Sequence, residues 1–243
     1  MAELVRARAD CVEPGDATVL AILGQIIGTL PEPTALQEVR WDIDAWRRYH
    51  APLALADAVD RVAHGRIQPD GRAVITRDQV GSHVGSPIDL FVAAMAWGFG
   101  ERGYGWHRTR GMFGEDGAQR VPKLVGSLRS SANDPEEIWR VLRGSLGLRG
   151  LGPAFGTKLA YFASYHDKPG TGPLIADRWT AWAFWAFTER WDIRASARSY
   201  AEYVHSAQAW AARLGRRPDD VERAFFIAGP HIRQAWRDAV KGG

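Results

Sequence analysis

Gly150-Leu151-Gly152-Pro153 constrains the fold of this chain more than any other stretch. Two glycines flank one apolar residue, and a proline then stands where a helix can begin. Before them, Asp134-Pro135-Glu136-Glu137 is a helix start, with an N-cap acid, proline at the first helical position and more acid in the first turn. After them, Ala154 to Tyr165 has an apolar helical pattern. Two helices joined by a G-x-G hairpin can offer backbone N–H groups to a phosphate, because glycine admits close approach and helix N-termini favour anions.

Nearly every other readable segment is also helical. Asp16 precedes a stripe of Val19, Leu20, Ile22, Leu23, Ile26, Ile27 and Leu30 that Pro31 stops. Residues 42–64 read as a helical region broken near Pro52. Ala73-Val74-Ile75 is too short for more than a minor strand. Ser86-Pro87 opens a strongly apolar helix. From Gly98 to Gly117 the chain reads as a glycine-rich, aromatic and basic loop with room for one helical turn, and Val121–Arg129 as a short helix. Residues 196–214 form an amphipathic helix, and 219–228 with 230–240 a closing pair. The expected fold class is all-α.

The chain has 243 residues, enough for one large domain or two small lobes. Lys and Arg together number 31 against 28 Asp and Glu, a mild excess that favours a polyanionic partner. Most of these cations are arginine, the better residue for fork-like phosphate contacts. One cysteine, Cys11, rules out an internal disulfide framework and a four-cysteine iron–sulfur cluster. The histidines show no metal-ligand spacing, so no metal and no cofactor are expected. No apolar run is long enough for a membrane span, and the chain reads as cytoplasmic, nucleoid-associated and monomeric.

Further residues carry a resemblance. Phe155-Gly156-Thr157-Lys158-Leu159-Ala160 is similar to V-G-T-K-V-A, Asp167-Lys168-Pro169 to D-K-P, and Pro173 to Trp179 to P-V-D-V-H-M-W. These are motifs of the helix-hairpin-helix DNA glycosylases, in the 8-oxoguanine branch, and the close resemblance covers about residues 145–185. It implies two helical lobes with a DNA cleft between them: residues 88–176 bearing the hairpin, and 1–87 with 177–243 forming the other. It implies a duplex DNA substrate containing an abnormal base, 8-oxoguanine within this branch. It further implies that Lys158 is the nucleophile and Asp177 the essential acid. Gly150, Gly152, Arg149 and Arg178 would then contact the DNA backbone. Trp97, Phe99, Trp106 and Phe226 are candidate walls for an extruded base, since such enzymes read the flipped base between flat side chains.

Each of these residues also has a plainer reading. Asp177 suits an ordinary helix N-cap. Lys158, alone on a mostly apolar helix, can snorkel to solvent, or it can be a buried amine of lowered pKa that attacks C1′. Aligning on the two hairpin glycines puts Ala154 at the nucleophile position, whereas aligning on Lys158 preserves the spacing to Asp177. If Lys158 faces away, Asp177 and a water molecule suffice for base removal. The rings can simply be core. Three other functions stay open: excision of an enzymatically modified phage base in defence, a non-catalytic DNA-binding hairpin module, and an α-helical small-molecule protein with a coincidental G-x-G.

Overall fold

The computed structural model describes residues 16–30, 33–48, 53–190 and 192–241. Cys11 and the breaks placed at Pro31 and Pro52 lie outside them. Among the described residues the protein is all-α apart from one two-stranded sheet. The contacts divide the chain into two compact units, Met1–Pro31 with Leu174–Gly243, and Glu32–Pro173. Residues 33–48 and 53–87 thus pack with the hairpin-bearing segment.

The second unit begins with strand β1 (Glu38–Asp42), paired antiparallel to β2 (Arg72–Thr76) with Trp41 opposite Ala73. Residues Ala73 and Ile75 of β2 are buried with Trp41, as the two-residue period of a half-buried strand requires. Helices α2 (Ile43–Arg48) and α3 (Leu53–Ala63) lie between the strands in sequence, and α4 (Arg77–Gly81) follows β2 directly. A capping box at Thr76 and Gln79 starts α4.

At the centre of this unit is α5 (Pro87–Phe99), whose residues from Leu90 to Trp97 are all buried. A helix that is apolar on every face must be surrounded. It packs against α3, α6 (Gly105–Phe113), α7 (Gly117–Ser130) and α9 (Pro153–Tyr165). Helix α8 (Pro135–Arg143) leads into the hairpin. The stretch read as a glycine-rich loop therefore contains a nine-residue helix, α6. A β-carbon on Gly105 would come within 2.7 Å of Phe99, so this helix begins pressed against α5 where only glycine fits.

The first unit joins α1 (Asp16–Gly28), α10 (Arg178–Thr188), α11 (Ala197–Leu214) and α12 (Pro218–Lys241). Phe184, Phe187, Tyr203, Trp210 and Phe225 meet there in edge-to-face and tilted pairs. The two closing helices read from the sequence are one continuous helix with Pro230 inside it.

One histidine makes the second unit sensitive to acid. His83 sits in the turn before α5 and its Nε2 is buried without a hydrogen-bond partner among the described residues. Burial, assisted by the Arg66 charge and opposed by Asp89, holds its pKa below the ordinary value of 6.5. A histidine with a depressed folded pKa takes up its proton more readily when unfolded, so stability falls as pH drops through about 6.5. We expect the melting temperature to decline between pH 7 and pH 5. His83→Leu should flatten that decline, and an unchanged slope in the variant would remove His83 as its cause.

Candidate active site

The hairpin is built by residues 144–152. Leu148 and Leu151 are buried beneath it, while Arg149 and Gly150 are exposed. Gly150 has φ +81°, a conformation that L side chains rarely adopt. Gly152 is different: its φ of −73° suits any residue, and a β-carbon there would meet nothing within 4 Å. Glycine at 150 thus serves the turn, and glycine at 152 leaves the backbone uncovered.

Among the described residues, the backbone N–H groups of Arg149, Gly150 and Ala154 have no intramolecular acceptor. Residues 142–144 and 147–152 line an open hollow of about 360 Å³. Two of its lining residues are Arg143 and Arg149, and neither belongs to an ion pair among the described residues. Arg120 of α7 secures the loop from behind, donating to the carbonyls of Ser145 at 3.2 Å and Gly147 at 2.7 Å. Free N–H donors and unpaired guanidiniums around an open hollow are complementary to a phosphate. Arg143 and Arg120 escaped the sequence reading. Arg143 is a last-turn helix cation with an ordinary role of its own, and the Arg120 tether is non-local.

These two glycines separate stability from binding. Gly150→Ala should lower the melting temperature, because a left-handed L-residue costs about 1–2 kcal/mol. Gly152→Val should leave the fold intact and weaken binding to all duplexes alike, about tenfold for one lost charge-assisted hydrogen bond. Equal binding by Gly152→Val and wild type in a fluorescence anisotropy titration would show that the phosphate does not approach here.

Lys158 lies on α9, two turns beyond the hairpin, and is only 6% exposed. Its side chain runs towards the helix N-terminus, as helical side chains do. Nζ comes to 3.5 Å from the carbonyl of Ala154, one turn back, and to 5.5 Å from the centre of the Phe155 ring. Gly98 of α5 makes room for it: a β-carbon there would stand 2.9 Å from Cδ of Lys158. The lysine therefore does not snorkel; it is buried with its amine directed towards the hairpin end of α9. Trp97 and Phe99 brace the same helix. The Phe99 ring stacks on Phe155 with centroids 4.0 Å apart, and Trp97 meets Phe162 edge-on at 5.4 Å. The indole of Trp97 also donates to the carbonyl of Gln37 at 3.3 Å. Trp106, on α6, is half-buried with its ring edge-on to His107.

Asp177 belongs to the first unit and is buried at the N-cap of α10. Oδ1 accepts from the N–H of Trp179 at 2.8 Å and of Thr180 at 3.2 Å. In return, the Thr180 hydroxyl accepts from the N–H of Asp177 at 2.8 Å. Two tyrosines of α11 fix the approach to it. Tyr200 donates to the carbonyl of Leu174 at 2.8 Å, and Tyr203 to that of Ile175 at 2.9 Å. Burial raises the pKa of the Tyr200 hydroxyl, which keeps it a donor. This pair escaped the sequence reading; two tyrosines at i, i+3 on an amphipathic helix look like core. Arg178 is exposed, its guanidinium 4.2 Å from the Trp179 ring centre. Phe226 is 37% exposed on α12.

The hairpin with a buried lysine behind it invites comparison with known families. The family model described as "Putative 8-oxoguanine DNA glycosylase OGG-like protein" matches residues 32–226. The chain belongs to this OGG-like family. No curated protein and no solved structure matches it. For an OGG-like protein the match takes in the hairpin, Lys158 and Asp177 together. Among the described residues no helix is long and apolar enough to cross a membrane, and no group of His, Cys, Asp or Glu could hold a metal ion.

Proposed function

We propose that this OGG-like protein is a DNA glycosylase that grips duplex DNA through the hairpin and excises a damaged base, 8-oxoguanine within the family. The observation that carries the reading is Lys158: a lysine buried to 6% exposure on the helix opened by the glycine hairpin, with its amine turned back towards that hairpin. A lysine amine is a competent nucleophile towards C1′. Family membership supports the same assignment.

In this reading the hairpin N–H groups of Arg149, Gly150 and Ala154, with the Arg149 guanidinium, hold phosphates and set the register of the strand. The Asp177 carboxylate accepts a proton from the attacking group and stabilises positive charge developing at C1′. The amine then attacks C1′, the N-glycosidic bond breaks, and the base departs with the bonding electrons and takes up a proton. Ring opening of the sugar gives a Schiff base, whose β-elimination nicks the strand and whose hydrolysis leaves an abasic site. Trp106, the one of the second unit's three candidate rings that is not buried, is the proposed contact to the extruded base. Trp97 and Phe99 brace the helix of Lys158 through Phe162 and Phe155.

The test is incubation with an end-labelled duplex containing one 8-oxoguanine, followed by alkali to break the strand at any abasic site. Strand breakage at the modified position is expected. Intact strands on this and every other modified duplex would overturn the proposal in favour of a module that only holds DNA.

A further inference from the structure

Immediately after Asp177, two arginines from different helices converge on one indole. The Arg178 guanidinium lies 4.2 Å, and that of Arg233 from α12 5.9 Å, from the centre of the Trp179 ring. Both distances fall within the range in which a cation is attracted to an aromatic face, about 6 Å. Arg233 reaches Trp179 because α12 runs unusually close to α10 at that level. A β-carbon on Gly229, one turn before Arg233, would overlap the carbonyl of Trp179, so only glycine allows the two backbones to meet. Trp179 is in turn fixed to Asp177 by its N–H, which donates to the carboxylate at 2.8 Å.

Neither arginine belongs to an ion pair among the described residues. Elsewhere in this unit arginines do find acids, as Arg190 and Arg198 do with Glu202 and Arg217 with Asp219. Two like charges held against one ring repel each other, and an anion bound by both relieves that repulsion. A guanidinium fork matches the geometry of a phosphate oxygen pair. We propose that Arg178 and Arg233, stacked on Trp179, form a clamp for one backbone phosphate of the strand that carries the target nucleotide. This rests on the reading of the protein as acting on DNA. Arg233 lies beyond the residues that the family model matches, 32–226.

The ring fixes both side chains, so little rotamer freedom is lost on binding. The clamp joins Asp177 through the Trp179 N–H, so the phosphate it holds adjoins the sugar on which Asp177 acts. It carries no base information, and its contribution is to affinity and register.

The test is the salt dependence of binding to an unmodified duplex, measured by anisotropy for wild type, Arg233→Gln, Arg178→Gln, the Arg178→Gln/Arg233→Gln double variant and Arg216→Gln. Arg216, an exposed cation of the same unit, controls for the loss of one charge. A lost phosphate contact makes the slope of log K against log salt shallower by about 0.9. That change is expected for Arg233→Gln and for Arg178→Gln, and the double variant should lose no more than either alone if they share one phosphate. Arg216→Gln should keep the wild-type slope. Wild-type slopes in Arg233→Gln and Arg178→Gln, with wild-type DNA binding intact, would overturn the clamp alone. Absence of duplex binding by wild type would overturn the DNA reading and the clamp with it.

Discussion

Asp177→Asn should lose base excision by about 10²–10⁴-fold while binding the same duplex as tightly as wild type. Asparagine retains an oxygen that can accept from the N–H groups of Trp179 and Thr180, bonds of 2.8 and 3.2 Å in the native cap, so α10 stays capped. What is lost is the negative charge, and with it both the stabilisation of positive charge at C1′ and the proton acceptor. Capping and the proposed catalytic role are therefore separable at this residue. Single-turnover excision and equilibrium binding on one substrate measure the two independently. Wild-type turnover by the Asn variant would reduce Asp177 to a structural cap. A melting temperature close to wild type would exclude unfolding as the reason for lost activity.

The second large effect concerns Lys158. With wild type, borohydride should reduce the Schiff base and leave a covalent protein–DNA adduct; Lys158→Gln should give neither adduct nor excision. The burial of this lysine, 6% exposed with Gly98 shaped around its Cδ, is an arrangement that a solvent-directed lysine does not need. Glutamine fills much of the same channel, so the variant should fold. Persistent excision without an adduct would assign the chemistry to Asp177 and water. In that case α9, whose hairpin glycines put Ala154 at the nucleophile position, would serve for DNA binding.

The local signals in the sequence were legible where they act locally. Asp134, Ser196 and Asp177 each stand before a helix, and each caps one in the fold. The hairpin glycines and the helix from Pro153 follow from the same short-range chemistry. Non-local contacts were not legible. Strand β1 exists because Glu38–Asp42 finds β2 thirty or more residues away, and nothing in its own composition announces this. Helix α6 forms despite Gly105 and Gly111, because Met112 and Phe113 are buried and the Thr109 hydroxyl bonds the carbonyl of Gly105 at 2.8 Å. Packing there overrides weak helix propensity. Pro230 reads as a break between two helices, yet α12 passes through it beside Gly229, where α10 meets the same backbone.

The candidate site divides along the same line. The cap at Asp177 and the glycine turn could be read from the sequence because both are local. The orientation of Lys158 could not, since it depends on Gly98, sixty residues earlier, leaving space on a neighbouring helix. Trp97 and Phe99, singled out for their aromatic chemistry, are buried against α9, at 7% and 3% exposure. A ring's composition does not reveal which face its neighbours cover.

The central claim is that this protein releases a base from DNA. Its most direct test is mass spectrometry of the small molecules set free from a panel of duplexes. The panel should carry 8-oxoguanine, other oxidised and alkylated bases, and enzymatically modified bases of the kind found in phage DNA. Wild type should release one free base from at least one duplex, 8-oxoguanine above all, and Asp177→Asn should release none. Tight binding to these duplexes with no free base from any of them would contradict the account and leave a hairpin protein that only holds DNA.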